Sequence, residues 1–302
     1  MPEIMQDALR GLSEALVERA RRARPLVACI SVRGRSMRSG TLWRKDLVVA
    51  SEQSFPRTDE AEIMLADGAA GSWSGRVAGR DPGTNVIAFR LDGTHEPSRV
   101  PALEPQPGAF VLAFGADSVD LLTRSGIIHS VGPAWHSRAG GHIDRRITLD
   151  MTLTDREEGG PVLDAGGGLL GISTLGPRRR VLVIPSATVD RVLESLLSKG
   201  RIERGWLGLA LQPVLVPEEL RAEAGQPYGL MVMRVAPDSP AAKAGVLFGD
   251  ILVTLDQGGV SRPSKVAQQL GPESVGRSME LRLIRAGTVI ALNATIVARP
   301  LD

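Results

Sequence analysis

The stretch Asp155-Arg156-Glu157-Glu158-Gly159-Gly160-Pro161-Val162-Leu163-Asp164 constrains the fold most. Gly-Gly-Pro before an apolar pair marks a turn that feeds a strand. Adjacent glycines admit positive φ and let the backbone approach other groups closely. Some twenty residues later comes an apolar run, Val181-Leu182-Val183-Ile184-Pro185, that reads as a buried strand.

Short β-rich runs with turns between them fill the chain on both sides of that turn. Residues 25–110 give runs at Leu26–Arg33, Gly40–Trp43, Leu47–Ala50, Ala61–Leu65, Ser72–Ala78 and Val86–Leu91. Residues 110–198 repeat the style at Ala109–Gly115, Arg124–Ser130, Arg146–Asp150, Gly160–Leu163, Leu169–Thr174 and Val181–Ile184. The pattern predicts an all-β region in two halves, a barrel or sandwich. Ser186–Lys199 then places Val189, Val192, Leu193, Leu196 and Leu197 on one helical face, with Gly200 as its stop.

At the start, Ile4, Ala8, Leu12, Ala15, Leu16 and Ala20 recur at helical steps over residues 1–24. Arginines crowd the last turns, which suits a helix C-terminus, and Pro25 stops it. This helix is expected to dock on the first half; an oligomerisation arm or a contact with an anionic surface is the sharper alternative. The segment is charged throughout and lacks the apolar core of a secretory signal, which favours a cytoplasmic protein, or a periplasmic one if a leader has been removed.

Composition removes several function classes. A net charge of +2 does not call for a polyanionic partner, and 3% aromatic residues leave few stacking platforms for nucleic acid. No apolar run approaches transmembrane length. The single cysteine, Cys29, cannot form an internal disulfide, and its apolar neighbours predict a buried, inert thiol. His136 and His142 flank a polar loop at 137–146, but two histidines fall short of a tetrahedral site, so no metal and no cofactor is expected.

The chain resembles the HtrA (Deg) family of chymotrypsin-fold serine proteases. Their nucleophile motif, Gly-Asn-Ser-Gly-Gly-Pro-Leu-Leu/Val-Asp, is matched by Gly159-Gly160-Pro161-Val162-Leu163-Asp164, and the strands that follow by Leu170-Gly171-Ile172 and Val183-Ile184-Pro185. Further on, Arg204-Gly205-Trp206-Leu207-Gly208-Leu209, Ser239-Pro240-Ala241-Ala242-Lys243-Ala244-Gly245-Val246 and Gly249-Asp250-Ile251-Leu252 resemble the PDZ domain of the same family. The resemblance implies a mostly β chain: an N-terminal helix (1–24), a chymotrypsin-like double β-barrel (25–199) and an α+β PDZ domain (200–302).

It also implies three catalytic positions, and each departs from its role. The histidine position holds Gln53, the aspartate position Asn85 and the serine position Glu158. A carboxamide has no titratable proton near neutrality and cannot serve as general base. Loss of nucleophile or base alone costs on the order of a millionfold in a serine protease. The expectation is therefore a pseudoprotease, with Glu158 knotted into the amides of Gln53 and Asn85, and Arg156 paired with Glu157 or Glu158. Ser51 and Ser54 lie near the histidine position with no histidine near them in sequence.

By the same resemblance, an extended C-terminal peptide adds a strand to the PDZ domain. Its carboxylate is expected at Tyr228-Gly229-Leu230-Met231, with Met233, Val266 and Leu270 as groove walls. The function expected is capture of protein C-termini or extended peptides, as adaptor, chaperone-like binder or regulatory subunit of an active relative. The alternatives are an active serine endopeptidase of protein quality control with an atypical site, and an oligomeric structural subunit. Family members commonly form trimers, but the aromatic residues that usually hold that contact are absent from residues 1–24.

Overall fold

The computed structural model describes residues 3–32, 36–56, 58–68, 71–97, 99–118, 120–137 and 139–300. Met1, Pro2, the Ile4 side chain, Arg33 and Arg138, which belong to segments read above, lie outside the described residues.

The first half closes on itself. Strands β1 (Val27–Ser31), β2 (Arg38–Arg44), β3 (Leu47–Ser51), β4 (Glu60–Leu65), β5 (Ser72–Asp81) and β6 (Val86–Leu91) form a barrel in the order β1-β2-β3-β6-β5-β4. Closure comes from the antiparallel pairing of β1 with β4, Cys29 opposite Met64. Alternation sets the inside: in β4, Ala61, Ile63 and Leu65 are buried while Glu60 and Glu62 face water. The interior joins Ile30, Leu42, Val48, Ile63, Ile87 and Phe89. Phe55 meets Phe89 edge-on at 5.3 Å. Burial pushes the Cys29 thiol above its usual range, which keeps it protonated and inert.

The second half repeats the device. β7 (Phe110–Asp117) and β8 (Asp120–Gly132) lead to a two-stranded hairpin, β9 (Trp135–His136) with β10 (His142–Ile143). β11 (Arg146–Asp150), β12 (Pro161–Asp164), β13 (Leu169–Leu175) and β14 (Val181–Pro185) complete a closed barrel in the order β11-β14-β13-β12-β7-β8. Closure abolishes unpaired edges in both halves. Its core gathers Val111, Ala113, Ile147, Val162, Leu170 and Val183.

Two helices attach to this body. Helix α2 (Ser186–Lys199) buries Val189, Val192, Leu193 and Leu196, and Gly200 ends it at φ +71° with its N–H on Leu196 O. Helix α1 (Glu3–Ala23) does not lie along the first barrel as expected. Ala23 is buried at its foot, while Leu9, Leu12 and Val17 stay about half exposed. Arg19 Nη1 donates to Gly166 O at 2.7 Å, in the turn after β12, so the helix also touches the second half. Among the described residues no helix is long and apolar enough to cross a membrane.

The chain divides into two compact units, 1–135 with 143–201, and 202–302 with 136–142. In the second, β15 (Gly205–Trp206) pairs with β22 (Val297–Ala298). Between them run β16 (Leu209–Leu215), α3 (Arg221–Ala224), β17 (Tyr228–Val235), α4 (Pro240–Lys243), β18 (Ile251–Leu255), β19 (Gly258–Gly259), α5 (Pro263–Gln269), β20 (Ser278–Arg285) and β21 (Thr288–Thr295). The sheet runs β16-β17-β18-β20-β21, with β19 off β18. Ser239 caps α4, its hydroxyl accepting from Ala242 N at 3.1 Å ahead of Pro240. Leu230, Val232, Leu252, Val266, Leu281 and Ile296 fill its core.

Candidate functional site

The turn at Gly159-Gly160 is held where no side chain fits. A Cβ on Gly160 would stand 1.8 Å from Phe114 O, and one on Gly159, at φ +95°, 2.5 Å from Ser39 O. Two bonds fix it to β13: Gly159 N to Ser173 O and Ser173 N to Gly160 O, both 2.9 Å. The residue before the turn, Glu158, is thereby driven inward between the halves, to 4% exposure.

Its carboxylate is met by hydroxyls and amides. Oε1 accepts from Ser51 Oγ (2.8 Å), Thr174 Oγ1 (2.8 Å) and the backbone N of Leu175 (3.0 Å), and also from Gln53 Nε2. Oε2 accepts from Ser54 Oγ at 3.0 Å. Asn85 reaches the group at one remove. It takes the left-handed φ of 59° that asparagine tolerates, after a turn in which Asp81 accepts from Gly83 N and Thr84 N, both at 3.0 Å. Asn85 Nδ2 then donates to Ser51 Oγ at 2.9 Å and Thr174 Oγ1 at 2.7 Å, and its Oδ1 accepts Gln53 N at 2.8 Å.

Gln53, Asn85 and Glu158 are thus brought to one place. Gln53 binds the carboxylate directly, while Asn85 orients the hydroxyls around it. The expected pairing of Arg156 with Glu157 or Glu158 does not form. The turn sends these neighbours apart: Arg156 pairs with Asp117, and Glu157 turns under the second barrel to Arg124 Nε at 2.6 Å.

Glu157 is a second buried carboxylate. Burial by itself would raise its pKa, but the bond from Arg124, those from Thr154 N (2.7 Å) and Thr154 Oγ1 (2.8 Å), and the guanidinium charge hold it below the usual range. A depressed carboxyl contributes stability above its unfolded pKa of about 4.3 and loses it as pH falls through the folded value. The variant Arg124→Gln is expected to unfold about 2 kcal/mol more easily at pH 7. That gap should close in acid below about pH 4, as urea midpoints across pH will read.

Ser54 is half-buried and opens on a cavity of about 610 Å³, lined by Val32, Arg38, Phe55, Leu175 and Arg179 among others. Among the described residues no imidazole reaches Glu158, Ser51 or Ser54. His95 meets Asp67 at 3.3 Å, His129 is exposed on β8, and the rings of His136 and His142 stand 5.1 Å apart. No group of three metal-binding side chains forms among the described residues.

The expected peptide site needs correction. Strand addition requires an unpaired edge, and β17 has none where it was expected. Leu230 is paired with Pro213 on one side and Leu252 on the other, and Met231 with Gln212 and Ile251. Gly229 is a packing glycine, since a Cβ there would meet Ile251 Cγ2 at 2.5 Å. Leu230 is fully buried, Val266 and Leu270 belong to the core, and Tyr228 and Met233 lie exposed.

β16 stands at one end of the sheet as a free edge. Over Leu209–Gln212 it offers backbone donors, which Pro213 then interrupts. Leu209 and Leu211 are partly buried against the core, and the strand touches α5. It is entered through Trp206-Leu207-Gly208; Gly208 has φ +82° and a Cβ would lie 2.2 Å from Ser239 Cβ. Gly208 in the motif Gly205-Trp206-Leu207-Gly208-Leu209 was the signal in the sequence that could have placed this edge.

Similarity to known proteins follows both units. The model of the trypsin-like peptidase domain matches residues 38–172, and that of the PDZ domain residues 205–296. A protein of Brucella suis named a periplasmic DegP-like serine endoprotease is 27% identical over 268 residues, 84% of this chain and 51% of its own length. One of the same name from Marinomonas is 26% identical, over 88% of this chain and 58% of its length. The chain therefore spans about half the length of the curated relatives it matches. Among solved structures, the serine endoprotease from Yersinia pestis superposes with a TM-score of 0.73 at 25% identity, covering 94% of this chain and 98% of that one. The HtrA-type protease AlgW with a tripeptide gives 0.71 at 25%, covering 95% and 98%.

These relatives overturn the expectation that the chain is not an enzyme, because they are named serine endoproteases and point to peptidase activity. Among the described residues neither Ser51 nor Ser54 has a histidine beside it. In the fold both hydroxyls converge on a carboxylate instead. Both of these relatives are named periplasmic.

Proposed function

Because the chain belongs to the HtrA-like family of trypsin-fold proteases with a PDZ domain, we propose that it is a serine-type endopeptidase working from an atypical site. The observation that carries the reading is Ser54 Oγ donating to Glu158 Oε2 at 3.0 Å at the mouth of a cavity.

In this reading Ser54 Oγ attacks the scissile carbonyl carbon while its proton passes to Glu158 Oε2. The protonated carboxyl then gives that proton to the leaving amine, and the acyl ester remains on Ser54. Water, deprotonated by Glu158, hydrolyses the ester and frees the hydroxyl. Gln53 and Leu175 N hold Oε1, which leaves Oε2 as the proton carrier. Ser51 is buried and ties Oε1 to Asn85, a positioning role. A carboxylate is a weaker base than an imidazole, so turnover is expected far below that of a Ser–His pair.

The PDZ domain supplies the holding function. A polypeptide C-terminus lies along β16, its carboxylate at the Trp206-Leu207-Gly208 turn and its last side chain against Leu209 and Leu211. With relatives named periplasmic, substrates would be exported polypeptides, met in the periplasm.

Casein cleavage by purified protein tests the first part, with Ser54→Ala as the variant expected to lose it. For the second, a labelled peptide ending in a free apolar residue is expected to bind the full chain. Leu209→Pro, which removes a donor from the edge, should weaken that binding about tenfold or more. Equal affinity of the two proteins would place the peptide elsewhere.

A further inference from the structure

One cavity of about 610 Å³ is lined by Ser54 and Glu158 and a second of about 500 Å³ by Glu157, and Ser36, Arg38 and Asp155 line both. Their walls carry four guanidiniums, and three of these are committed. Arg124 pairs with Glu157, Arg156 with Asp117, and Arg179 with Asp155. Glu158 draws its donors from neutral groups alone. Arg38 is the exception. Among the described residues it meets no carboxylate, donating through Nη1 to Ser36 Oγ at 2.5 Å and Met37 O at 3.2 Å.

A guanidinium stays charged at every accessible pH and has five donors in a fork that fits a carboxylate. Bonds from one terminal nitrogen to neutral acceptors leave most of that fork unused. Arg38 is half-buried at the start of β2, so solvent and salt screen it less than a surface arginine. Both cavities open onto it, so a chain occupying either one passes a cation lacking a counter-charge.

We infer that Arg38 selects the polypeptide that enters the cleft by pairing with a carboxylate on it, either an acidic side chain or a free C-terminus. The inference rests on the reading that polypeptide occupies this cleft, but not on its being cut there. Arg38 is a specificity residue in this account and takes no part in the proton transfers.

Three labelled, unstructured peptides test it by fluorescence anisotropy with the full chain at low salt. One carries a single glutamate and an amidated C-terminus, the second has glutamine in its place, and the third is the glutamine peptide with a free terminus. The glutamate peptide is expected to bind about fivefold more tightly than its glutamine partner, the yield of one modest ion pair. Arg38→Gln should erase that preference, and Arg38→Lys should keep part of it. A preference for the free terminus that Arg38→Gln erases identifies the terminal carboxylate as the source and equally supports the inference. Preferences unchanged by Arg38→Gln for all three peptides overturn it. Ser54→Ala should leave the preference intact, which separates the two readings. Cleavage without an Arg38-dependent preference removes this inference alone, and the preference without cleavage removes only the peptidase reading.

Discussion

Gly160→Ala is expected to yield no stably folded first unit, with a loss of more than about 4 kcal/mol, beyond the usual range for point changes. The new methyl would sit 1.8 Å from Phe114 O, a backbone atom that no rotamer change can move. Relief would need β12 to withdraw from β7, yet Val162 is paired with Ala113 and Leu163 with Leu112 in that ladder. A domain is stable by only about 5–15 kcal/mol, so this loss consumes much of the margin. Gly11→Ala is the control: it lies mid-helix in α1 with nothing within 4 Å of a Cβ, and should gain about 0.5–1 kcal/mol. Thermal unfolding of the two variants reads both effects. A Gly160→Ala protein melting within a few degrees of wild type would contradict the placement of this turn.

Glu158→Leu is expected to cost about 3 kcal/mol and to abolish any hydrolysis. The change removes the acceptor for Ser51, Gln53, Ser54, Thr174 and Leu175 N together. Each donor left buried and unmade costs about 1–3 kcal/mol. The total stays well below the sum because Gln53 is exposed and Ser54 half-buried, so water serves both, and Ser51 and Thr174 already stand 3.2 Å apart and can bond each other. Leu175 N has no such substitute in its own strand. Glu158→Gln keeps one acceptor oxygen and should cost about 1 kcal/mol, while still removing the proton carrier. Urea midpoints for both variants, with the slope unchanged, are the measurement. A leucine variant as stable as wild type would mean that the carboxylate does not organise this cluster.

The sequence was informative where function is tied to a contiguous motif. Gly159-Gly160-Pro161 located the turn, and Gln53, Asn85 and Glu158, far apart in the chain, lie together in the fold. It was misleading where geometry reverses adjacency. Arg156 and Glu157 are neighbours in the chain, but the turn directs one to Asp117 on β7 and the other to Arg124 on β8. It was silent about strand order. Tyr228-Gly229-Leu230-Met231 reads as a peptide-binding segment, and only the strand pairing shows Leu230 and Met231 taken on both sides, with β16 at an end of the sheet. The uncommitted charge on Arg38 was likewise invisible, because pairing depends on which side chains the two barrels bring together.

The purified protein should be incubated with unfolded casein beside Ser54→Ala and Ser51→Ala prepared identically, with intact mass recorded after exposure to a fluorophosphonate. Slow casein cleavage and a single adduct, both lost in Ser54→Ala, are predicted. Intact casein and unlabelled wild type, or cleavage undiminished in Ser54→Ala, would contradict the peptidase reading.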